Sequence, residues 1–203
     1  MAWSVRKMIA SVTAAIRVSG YAMATETSVG ISRIQVHRRP GRQHEGLLIA
    51  GKMTIPVAIG KSGIWPLKRE GDGRSPAGTW RIQRVLYRPD QGPRPITRLP
   101  CAPLRPDDGW CDAPDHRLYN RPVKLPFPAS HERMWREDGL YDLVLVLDHN
   151  SRPRIRRHGS AVFIHLARPG FMGTEGCVAL RRADMRRLLA RLQPGARITL
   201  VPG

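Results

Sequence analysis

Residues 163–180 read FIHLARPGFMGTEGCVAL and combine a strand-like segment with two side chains that can perform catalysis. The apolar run that ends at His165 predicts a strand, and the glycine-rich stretch after it predicts a loop leading to Cys177. A thiol is an effective nucleophile as the thiolate, at an exposed site beside a base or a cation. Free cysteine is also among the most buried residue types. The residues alone therefore allow two interpretations, a nucleophile with its base or a core thiol near an unrelated histidine.

Strand-like segments flank this stretch along the chain. Their apolar residues alternate with polar ones or run together in ISRIQVHR (31–38), LLIA (47–50), TIPVAI (54–59), TWRIQRVLY (79–87), LYDLVLVLDH (140–149) and ARITLV (196–201). Gly51-Lys52 separates two of them as a hairpin turn. The unbroken apolar run within 140–149 is typical of a central strand covered on both faces. The chain of 203 residues suffices for one such domain, and we expect it to span residues 31–201.

Helical periodicity is limited to two segments. Over residues 181–192 apolar residues recur at i, i+3, i+4 and i+7, namely at Met185, Leu188, Leu189 and Leu192. The following Gln193-Pro194-Gly195 predicts the end of that helix. SHERMWRE (130–137) predicts a second, shorter helix with Ser130 as its N-cap, which makes His131 and Glu132 a solvated pair near the helix start. The pattern therefore predicts a mostly β domain with one or two helices.

The stretch from Arg88 to Pro128 is long, rich in proline and poor in periodicity. Such a segment inside a compact domain is usually a functional lid or a binding loop. Its thiols, Cys101 and Cys111, can form a disulfide or remain free. Its acidic residues can receive a substrate amine or form a solvated turn, and they are Asp107, Asp108, Asp112 and Asp115. A zinc site from Cys101, Cys111 and His116 lacks the paired Cys spacing of zinc proteins, so we expect no metal.

The charge balance is strongly basic. The chain has 34 Lys and Arg against 16 Asp and Glu, a formal net charge of +18. Such a surface attracts polyanions, either nucleic acid or an anionic wall polymer, although abundant arginine can also simply solvate the surface. The sequence has no visible motif for recognising bases, which argues against nucleic acid as the partner. The composition does not indicate an oligomeric state.

The N-terminus has a partial signal-peptide outline. Arg6 and Lys7 precede a short apolar run, and A-M-A stands at 22–24, but Arg17 interrupts the apolar residues. We therefore set aside residues 1–30 as a leader or a disordered segment.

The stretch GSAVFIHLARPGFMGTEGCVALRRADMRRLL (159–189) resembles the catalytic signature of the L,D-transpeptidase family, the YkuD-type domain. That signature has a histidine at a strand end, then a loop, then [S/T]-H-G-C and a hydrophobic residue. KREGDGRSPAGTW (68–80) is similar to the family's upstream glycine-rich segment, and ARITLV (196–201) to its closing strand. The three segments occur in the family's order.

The resemblance implies a β-sandwich-like domain with a mixed sheet and an acyltransferase of the cell wall that needs no cofactor. By position, Cys177 would attack a peptidoglycan stem peptide, His165 would exchange protons with it, and the N–H groups of Gly176 and Cys177 would be oxyanion donors. Transfer to an amine would crosslink or remodel the wall, and transfer to water would make a carboxypeptidase. Carbapenem-type inhibitors are expected to react, and the implied substrate places the protein in the periplasm or cell envelope. A non-catalytic basic module that binds anionic polymer is the remaining alternative.

Three departures from the family pattern affect the substrate contacts. Glu175 stands where the family usually has a histidine, Ala179 stands where it often has arginine or asparagine, and the interval from His165 to Cys177 is short. Thr174 and Arg168 are the candidate substrate-binding residues. Arg168 would replace the missing cationic contact, unless it is an ordinary solvated arginine.

Overall fold

The computed structural model describes residues 30–203. The predicted leader therefore lies outside the described residues except for Gly30. The described chain contains one α-helix, α1 (Arg182–Leu189), and two 3₁₀ turns, Pro89–Gln91 and Pro169–Phe171. Its strands are β1 (Ile31–Arg38), β2 (Glu45–Ala50), β3 (Met53–Ala58), β4 (Ile64–Trp65), β5 (Ser75–Pro76), β6 (Gly78–Tyr87), β7 (Cys101–Pro103), β8 (Asp108–Cys111), β9 (Arg121–Lys124), β10 (His131–Arg133), β11 (Leu143–Leu147), β12 (Phe163–Leu166), β13 (Val178–Leu180) and β14 (Leu192–Val201). The expectation of a mostly β domain is confirmed.

The principal sheet is mixed and closes on itself. Its strand order is β11-β12-β13-β3-β2-β1-β14-β6-β7, and β11 also pairs with β6, which completes a circuit of strands. The β1–β14 and β12–β13 pairs are parallel, whereas β2–β3 is the predicted antiparallel hairpin. Gly51 begins its turn with a φ of 58°, a conformation that glycine adopts without steric cost.

Strand β11 is covered on both faces, as its apolar sequence predicts. Leu143, Leu145 and Leu147 point into the main core inside the closed sheet, together with most inward residues of the other strands. Val144 and Val146 point to the opposite face and pack in a second apolar cluster. The second cluster also contains Cys177, so the outer face of this part of the sheet is where the thiol lies.

Helix α1 packs its apolar stripe on the core and ends earlier than its periodicity predicts. Met185, Leu188 and Leu189 are buried in the main core, as expected. Leu192 is already the first residue of β14, so the prediction that Gln193-Pro194-Gly195 ends the helix is wrong. These three residues instead form an irregularity in β14, where the pairing with β1 jumps from Ile31↔Leu192 to Arg33↔Arg197.

The long proline-rich stretch contains more regular structure than its sequence predicts. Strand β8 pairs with β9 on one side and with β10 on the other, and this small sheet supplies Trp110 to the second apolar cluster. The helix predicted over residues 130–137 is wrong, because His131–Arg133 pairs antiparallel with Gly109–Cys111. Met134, next to that strand, is buried in the second cluster. Tertiary pairing therefore outweighs the helical spacing of this segment.

Within residues 30–203 no helix has the length and apolar character needed to cross a membrane.

Candidate active site

His165 and Cys177 are carried by two adjacent parallel strands. The register of β12 and β13 sets Ile164 opposite Val178 and His165 opposite Ala179. Continuing this register places Phe163 beside Cys177, and the Phe163 N–H donates a 3.3 Å hydrogen bond to Cys177 Sγ. Because paired residues of parallel strands point to the same face and side chains alternate along each strand, the imidazole and the thiol share one face, offset by two residues. The fold therefore brings together the two side chains that the sequence singles out.

Both side chains line the same cavity, which has a volume of about 200 Å³. The polar groups around it come from three separate segments of the chain, and the principal ones are Glu132, Arg136, Tyr141, His165, Thr174 and Cys177. The cavity lies on the outer face of the closed sheet beside β10, which supplies Glu132. Its wall includes the half-exposed Arg168 and the exposed Glu175, so the cavity reaches the protein surface.

The sulfur of Cys177 is more buried than expected for an activated thiolate. Only 9% of the residue is exposed, and Sγ donates to the Ala161 carbonyl at 3.3 Å while it accepts from Phe163 N–H. Burial raises the pKa of the thiol to about 12, although the Phe163 N–H opposes the shift. The expectation of an exposed thiolate is therefore not met, and at neutral pH the group is a neutral thiol.

The imidazole of His165 is also neutral, and one of its two ring nitrogens is already hydrogen-bonded. Burial of all but 6% of the residue lowers the pKa of the imidazole to about 4. Nδ1 lies 2.8 Å from the carbonyl oxygen of Leu166, which can only accept, so Nδ1 carries the proton. Nε2 is then the unprotonated nitrogen and can take a proton from another group. The ring packs edge-on against Tyr141, with centroids 5.3 Å apart, which fixes its orientation.

Residues 174–177 form a tight turn that is held by the side chain of its first residue. The Thr174 hydroxyl accepts from Gly176 N–H at 3.2 Å and donates to the carbonyl of Cys177 at 2.7 Å. In this arrangement the Gly176 N–H is occupied, and its use as an oxyanion donor requires it to leave Thr174. Thr174 is thus a clamp of the turn as well as a residue at the cavity wall, and its predicted contact with substrate stays a prediction.

The upstream segment of residues 68–75 is hydrogen-bonded to the backbone of the turn at residues 174–177. The Ser75 hydroxyl donates to the Gly176 carbonyl at 2.9 Å and accepts from Gly60 N–H at 2.9 Å. The buried Lys68 ammonium pairs with Asp72 at 2.6 Å and donates to the Glu175 carbonyl at 3.4 Å. A sequence segment about 100 residues away therefore holds the backbone that presents Cys177.

Gly176 cannot be replaced without a steric conflict. Its φ is 137°, which side chains rarely adopt, and an added Cβ would lie 2.7 Å from the Arg74 carbonyl oxygen. Glycine is therefore required here by the approach of residues 68–75, in addition to any approach of a substrate.

A known protein family matches the segments that form this site. The sequence profile of the YkuD family, the L,D-transpeptidase catalytic domain, matches residues 47–200, which is most of the chain and includes His165, Cys177 and the supporting segment. The chain belongs to the YkuD family. The resemblance noted in the sequence is thereby confirmed, and the mixed-sheet fold agrees with it. No curated protein sequence matches this YkuD chain significantly.

Two solved structures resemble this YkuD domain at low overall similarity. The Bdellovibrio bacteriovorus protein Bd1075 matches at 15% identity with a TM-score of 0.42, over 83% of this chain and 48% of that one. Mycobacterium tuberculosis L,D-transpeptidase 1 matches at 12% identity with a TM-score of 0.37, over 83% of this chain and 62% of that one. The YkuD chain therefore spans about half to three-fifths of the length of these two proteins.

Two cavity residues of this YkuD domain, Arg136 and Tyr141, are not singled out by its sequence. A third, Glu132, lies at the cavity wall, so the predicted solvated pair of His131 and Glu132 at a helix start is wrong. Arg136 donates to Glu132 at 2.7 Å and makes two hydrogen bonds to Asp138, and its guanidinium lies 5.1 Å from the ring centre of Tyr141. Burial raises the pKa of Glu132, and Arg136 opposes that shift. The Glu132–Arg136 spacing of four residues is also typical of a helix, although the two residues here flank the end of a strand. Only the pairing of β10 with β8 places Glu132 at the cavity.

Several other candidate residues lie away from this YkuD cavity. Asp107 and Asp108 are ion-paired with Lys124, and Asp115 lies next to Arg156 and Arg157. These carboxylates and Asp112 do not line the cavity, so the structure assigns them no contact with a ligand there. All three cysteines are free thiols, which answers the open question about Cys101 and Cys111. Among residues 30–203 no cluster of metal-ligating side chains is present.

The positions that depart from the family pattern all lie at the cavity wall. Glu175 is exposed and pairs with Lys61 at 2.7 Å. Ala179 lies opposite His165 and adds no polar group. Arg168 is half-exposed and lies 3.8 Å from Asp138, so its guanidinium is available at the rim. Its predicted role as the cationic contact remains a prediction.

Proposed function

We propose that this YkuD domain is a cell-wall acyltransferase in which Cys177 is the nucleophile and His165 is its proton acceptor. The observation that carries the proposal is the pairing of a neutral thiol with an imidazole whose Nε2 is unprotonated, on one face of one cavity. Family membership supports peptidoglycan stem peptides as the substrate class. The surrounding polar residues support a peptide ligand rather than an apolar one.

The first step forms a thioester. The sulfur of Cys177 attacks the carbonyl carbon of the third stem residue while its proton moves to His165 Nε2. Because the thiol pKa is raised to about 12 and the imidazole pKa is lowered to about 4, a separated thiolate–imidazolium pair is costly in the empty site. Proton transfer is therefore expected to accompany formation of the carbon–sulfur bond. His165 then protonates the departing amine of D-alanine, and the peptide bond breaks.

The second step releases the acyl group to a new acceptor. An amine from another stem peptide loses a proton to His165 and attacks the thioester, which frees the Cys177 sulfur to take that proton back. Water in the same position gives a shortened stem and makes the protein an L,D-carboxypeptidase. The two reactions share every step up to the thioester and differ only in the group that enters the cavity.

The charges at the cavity fit a substrate that carries both an ammonium and carboxylates. Of the two carboxylates at the wall, Glu175 is paired with Lys61, and the partly buried Glu132 is suited to receive the amine of a diamino acid. The half-exposed Arg168 is suited to a carboxylate of the stem, whereas Arg136 is already bonded to Glu132 and Asp138. These assignments replace the acidic cluster of residues 107–115 as the proposed amine contact.

A wall substrate implies that the protein acts outside the cytoplasmic membrane, in the periplasm or elsewhere in the cell envelope. The strongly basic surface is consistent with this, because wall polymers are anionic.

The proposal is tested with purified muropeptides. Wild type, Cys177→Ala and the control Cys101→Ala are each incubated with tetrapeptide muropeptides, and products are identified by mass spectrometry. We expect crosslinked dimers from wild type and Cys101→Ala and none from Cys177→Ala. Tripeptides in place of dimers would assign the carboxypeptidase reaction. Equal activity in Cys177→Ala would contradict the thiol mechanism and favour a non-catalytic basic module.

A further inference from the structure

A second concave site, here called the arginine groove, lies on the side of the domain formed by β6, β9 and the turn after β11. Its volume is about 590 Å³, against about 200 Å³ for the cavity of Cys177. Four arginines from three separate segments line it: Arg81 and Arg84 on β6, Arg121 on β9 and Arg152 in the turn. It shares no lining residue with the cavity of Cys177.

The positive charge of the arginine groove is not neutralised within the described chain. None of its four guanidinium groups takes part in an ion pair or a hydrogen bond among residues 30–203, whereas arginines elsewhere, such as Arg88 and Arg136, are paired with carboxylates. One carboxylate, Asp148, lines the groove, and its Oδ1 already accepts a 2.7 Å hydrogen bond from the backbone N–H of Arg81. Four cations thus face a single acid.

Arg84 gives the groove a feature that an ordinary solvated arginine lacks. Its Nε atom is buried and has no hydrogen-bond partner in the described chain. A buried donor without an acceptor costs free energy, and a guanidinium is suited to bind planar or tetrahedral oxyanions through two parallel bonds. An anion in the groove would bring acceptors to this guanidinium and to its three neighbours.

The floor of the arginine groove is fixed by a hydrogen-bond network. The Trp110 indole N–H donates to Asn120 Oδ1 at 2.9 Å, and the Asn120 amide donates to the carbonyls of His149 and Asn150 at 3.0 and 2.8 Å. Trp110 also packs edge-on against Phe163. The network joins the backbone next to Arg121 to the turn that carries Arg152, so these two segments need not be brought together on binding, which lowers its entropic cost.

We infer that the arginine groove is a binding site for a phosphate-bearing anion, separate from the thiol cavity. Guanidinium groups that approach from β6, from β9 and from the turn surround the ligand, which fits the several oxygens of a phosphate better than a single planar carboxylate. The volume accommodates more than one phosphate group. The phosphates of a soluble polymer and those of a lipid headgroup present the same chemistry, and the experiment below separates these two sources.

The test measures binding of sodium tripolyphosphate to the full chain by calorimetry. The groove variant is Arg121→Gln/Arg152→Gln, which alters two exposed arginines and leaves the buried Arg84 in place. The matched control is Arg33→Gln/Arg191→Gln, which removes the same charge from exposed positions elsewhere. We expect one site on wild type, at least tenfold weaker binding by the groove variant, and less than twofold weakening by the control.

Two results would overturn the inference. Equal weakening by both double variants would show that tripolyphosphate responds only to diffuse surface charge, and absence of binding to folded wild type would remove the site altogether. A third variant, Arg84→Met, is expected to weaken binding at least tenfold when circular dichroism shows that it folds. If it does not fold, the exposed pair decides the outcome alone.

A vesicle arm identifies the source of the phosphate. Wild type and the groove variant are each floated with phosphatidylglycerol–phosphatidylcholine vesicles and with phosphatidylcholine vesicles alone. Groove-dependent flotation with the anionic vesicles assigns the site to lipid headgroups, and tripolyphosphate binding without flotation assigns it to a soluble phosphate polymer. Cys177→Ala is expected to bind tripolyphosphate like wild type, so this inference and the proposed thiol chemistry can fail independently.

Discussion

The Ser75 hydroxyl donates a 2.9 Å hydrogen bond to the carbonyl of Gly176, the residue before the proposed nucleophile. The same hydroxyl accepts from Gly60 N–H. One buried side chain thus joins β5 to the turn that presents Cys177 and to the segment that follows β3.

Replacing Ser75 with alanine is expected to lower both stability and activity. The change leaves a buried N–H and a buried carbonyl without partners, which costs about 1–3 kcal/mol of unfolding free energy. The turn would also lose its support, and small displacements of reacting groups reduce turnover by about tenfold or more. Urea denaturation and muropeptide turnover measure the two effects.

The control for this change is Thr199→Val, which removes an exposed hydroxyl that contacts Thr79 on the far side of the sheet. It should leave turnover unchanged. Full activity of Ser75→Ala would show that the turn keeps its position without the hydrogen bond.

Alanine at Gly176 is expected to be more damaging than alanine at another left-handed glycine. At Gly176 the Cβ would meet the Arg74 carbonyl at 2.7 Å, whereas at Gly41, with a φ of 70°, nothing lies within 4 Å. Gly41→Ala should cost only the backbone strain of about 1–2 kcal/mol, and Gly176→Ala should add a steric displacement of the turn. Comparable losses of stability and turnover in the two variants would contradict the steric explanation.

Two buried histidines are expected to make the fold sensitive to mild acid. Burial lowers the pKa values of His149 and His165 from 6.5 to about 4. Between these pH values the unfolded chain binds more protons than the folded one, so the stability that is present above pH 6.5 is lost as the pH falls toward 4. The contribution of each histidine is at most on the order of 3 kcal/mol.

Chemical denaturation from pH 7 to pH 4 tests this effect in wild type and His149→Phe. The variant keeps an aromatic ring beside Trp80 and should lose less stability on acidification than wild type. His44→Phe, at an exposed position, is the control and should keep the wild-type pH dependence. An unchanged slope in His149→Phe would mean that this imidazole is not the group that takes up a proton.

Neutralising Glu132 is expected to weaken recognition of an amine-bearing substrate. In Glu132→Gln the side chain keeps its size, and Arg136 remains held by Asp138. We expect KM for tetrapeptide muropeptides to rise about tenfold, the equivalent of about 1.4 kcal/mol, with a smaller change in kcat. The exposed Glu137→Gln is the charge-matched control. A fall in kcat with unchanged KM would assign Glu132 to the chemical step instead.

The sequence predicts most long strands of the principal sheet because these strands have strong local patterns, but it does not predict that the sheet closes. Alternation in β1 and β14, the Gly51 turn and the apolar run of β11 each depend on neighbouring residues. The small sheet depends on pairing between β8 and β10, which are separated by a long proline-rich segment, and no local pattern reports such a contact. The four-residue spacing of Glu132 and Arg136 even favours the wrong element.

The residues of the candidate site also divide into those that a local motif predicts and those that depend on contacts between distant segments. His165 and Cys177 stand out because both lie in one motif, and their strands are close in sequence. Glu132, Arg136 and Tyr141 reach the cavity only through the packing of distant segments. The backbone of Arg74 requires glycine at position 176, and this contact with a distant segment is not visible in the motif. The burial of the sulfur follows from the second apolar cluster, which cannot be recognised before the fold is known.

The most direct test of the central claim is the intact mass of the protein after incubation with a carbapenem. Wild type and Cys101→Ala should each gain the mass of one inhibitor molecule, although Cys101 is the more exposed thiol in wild type, and Cys177→Ala should gain none. An adduct of equal yield on Cys177→Ala, or no adduct on folded wild type, would contradict the assignment of Cys177 as the nucleophile.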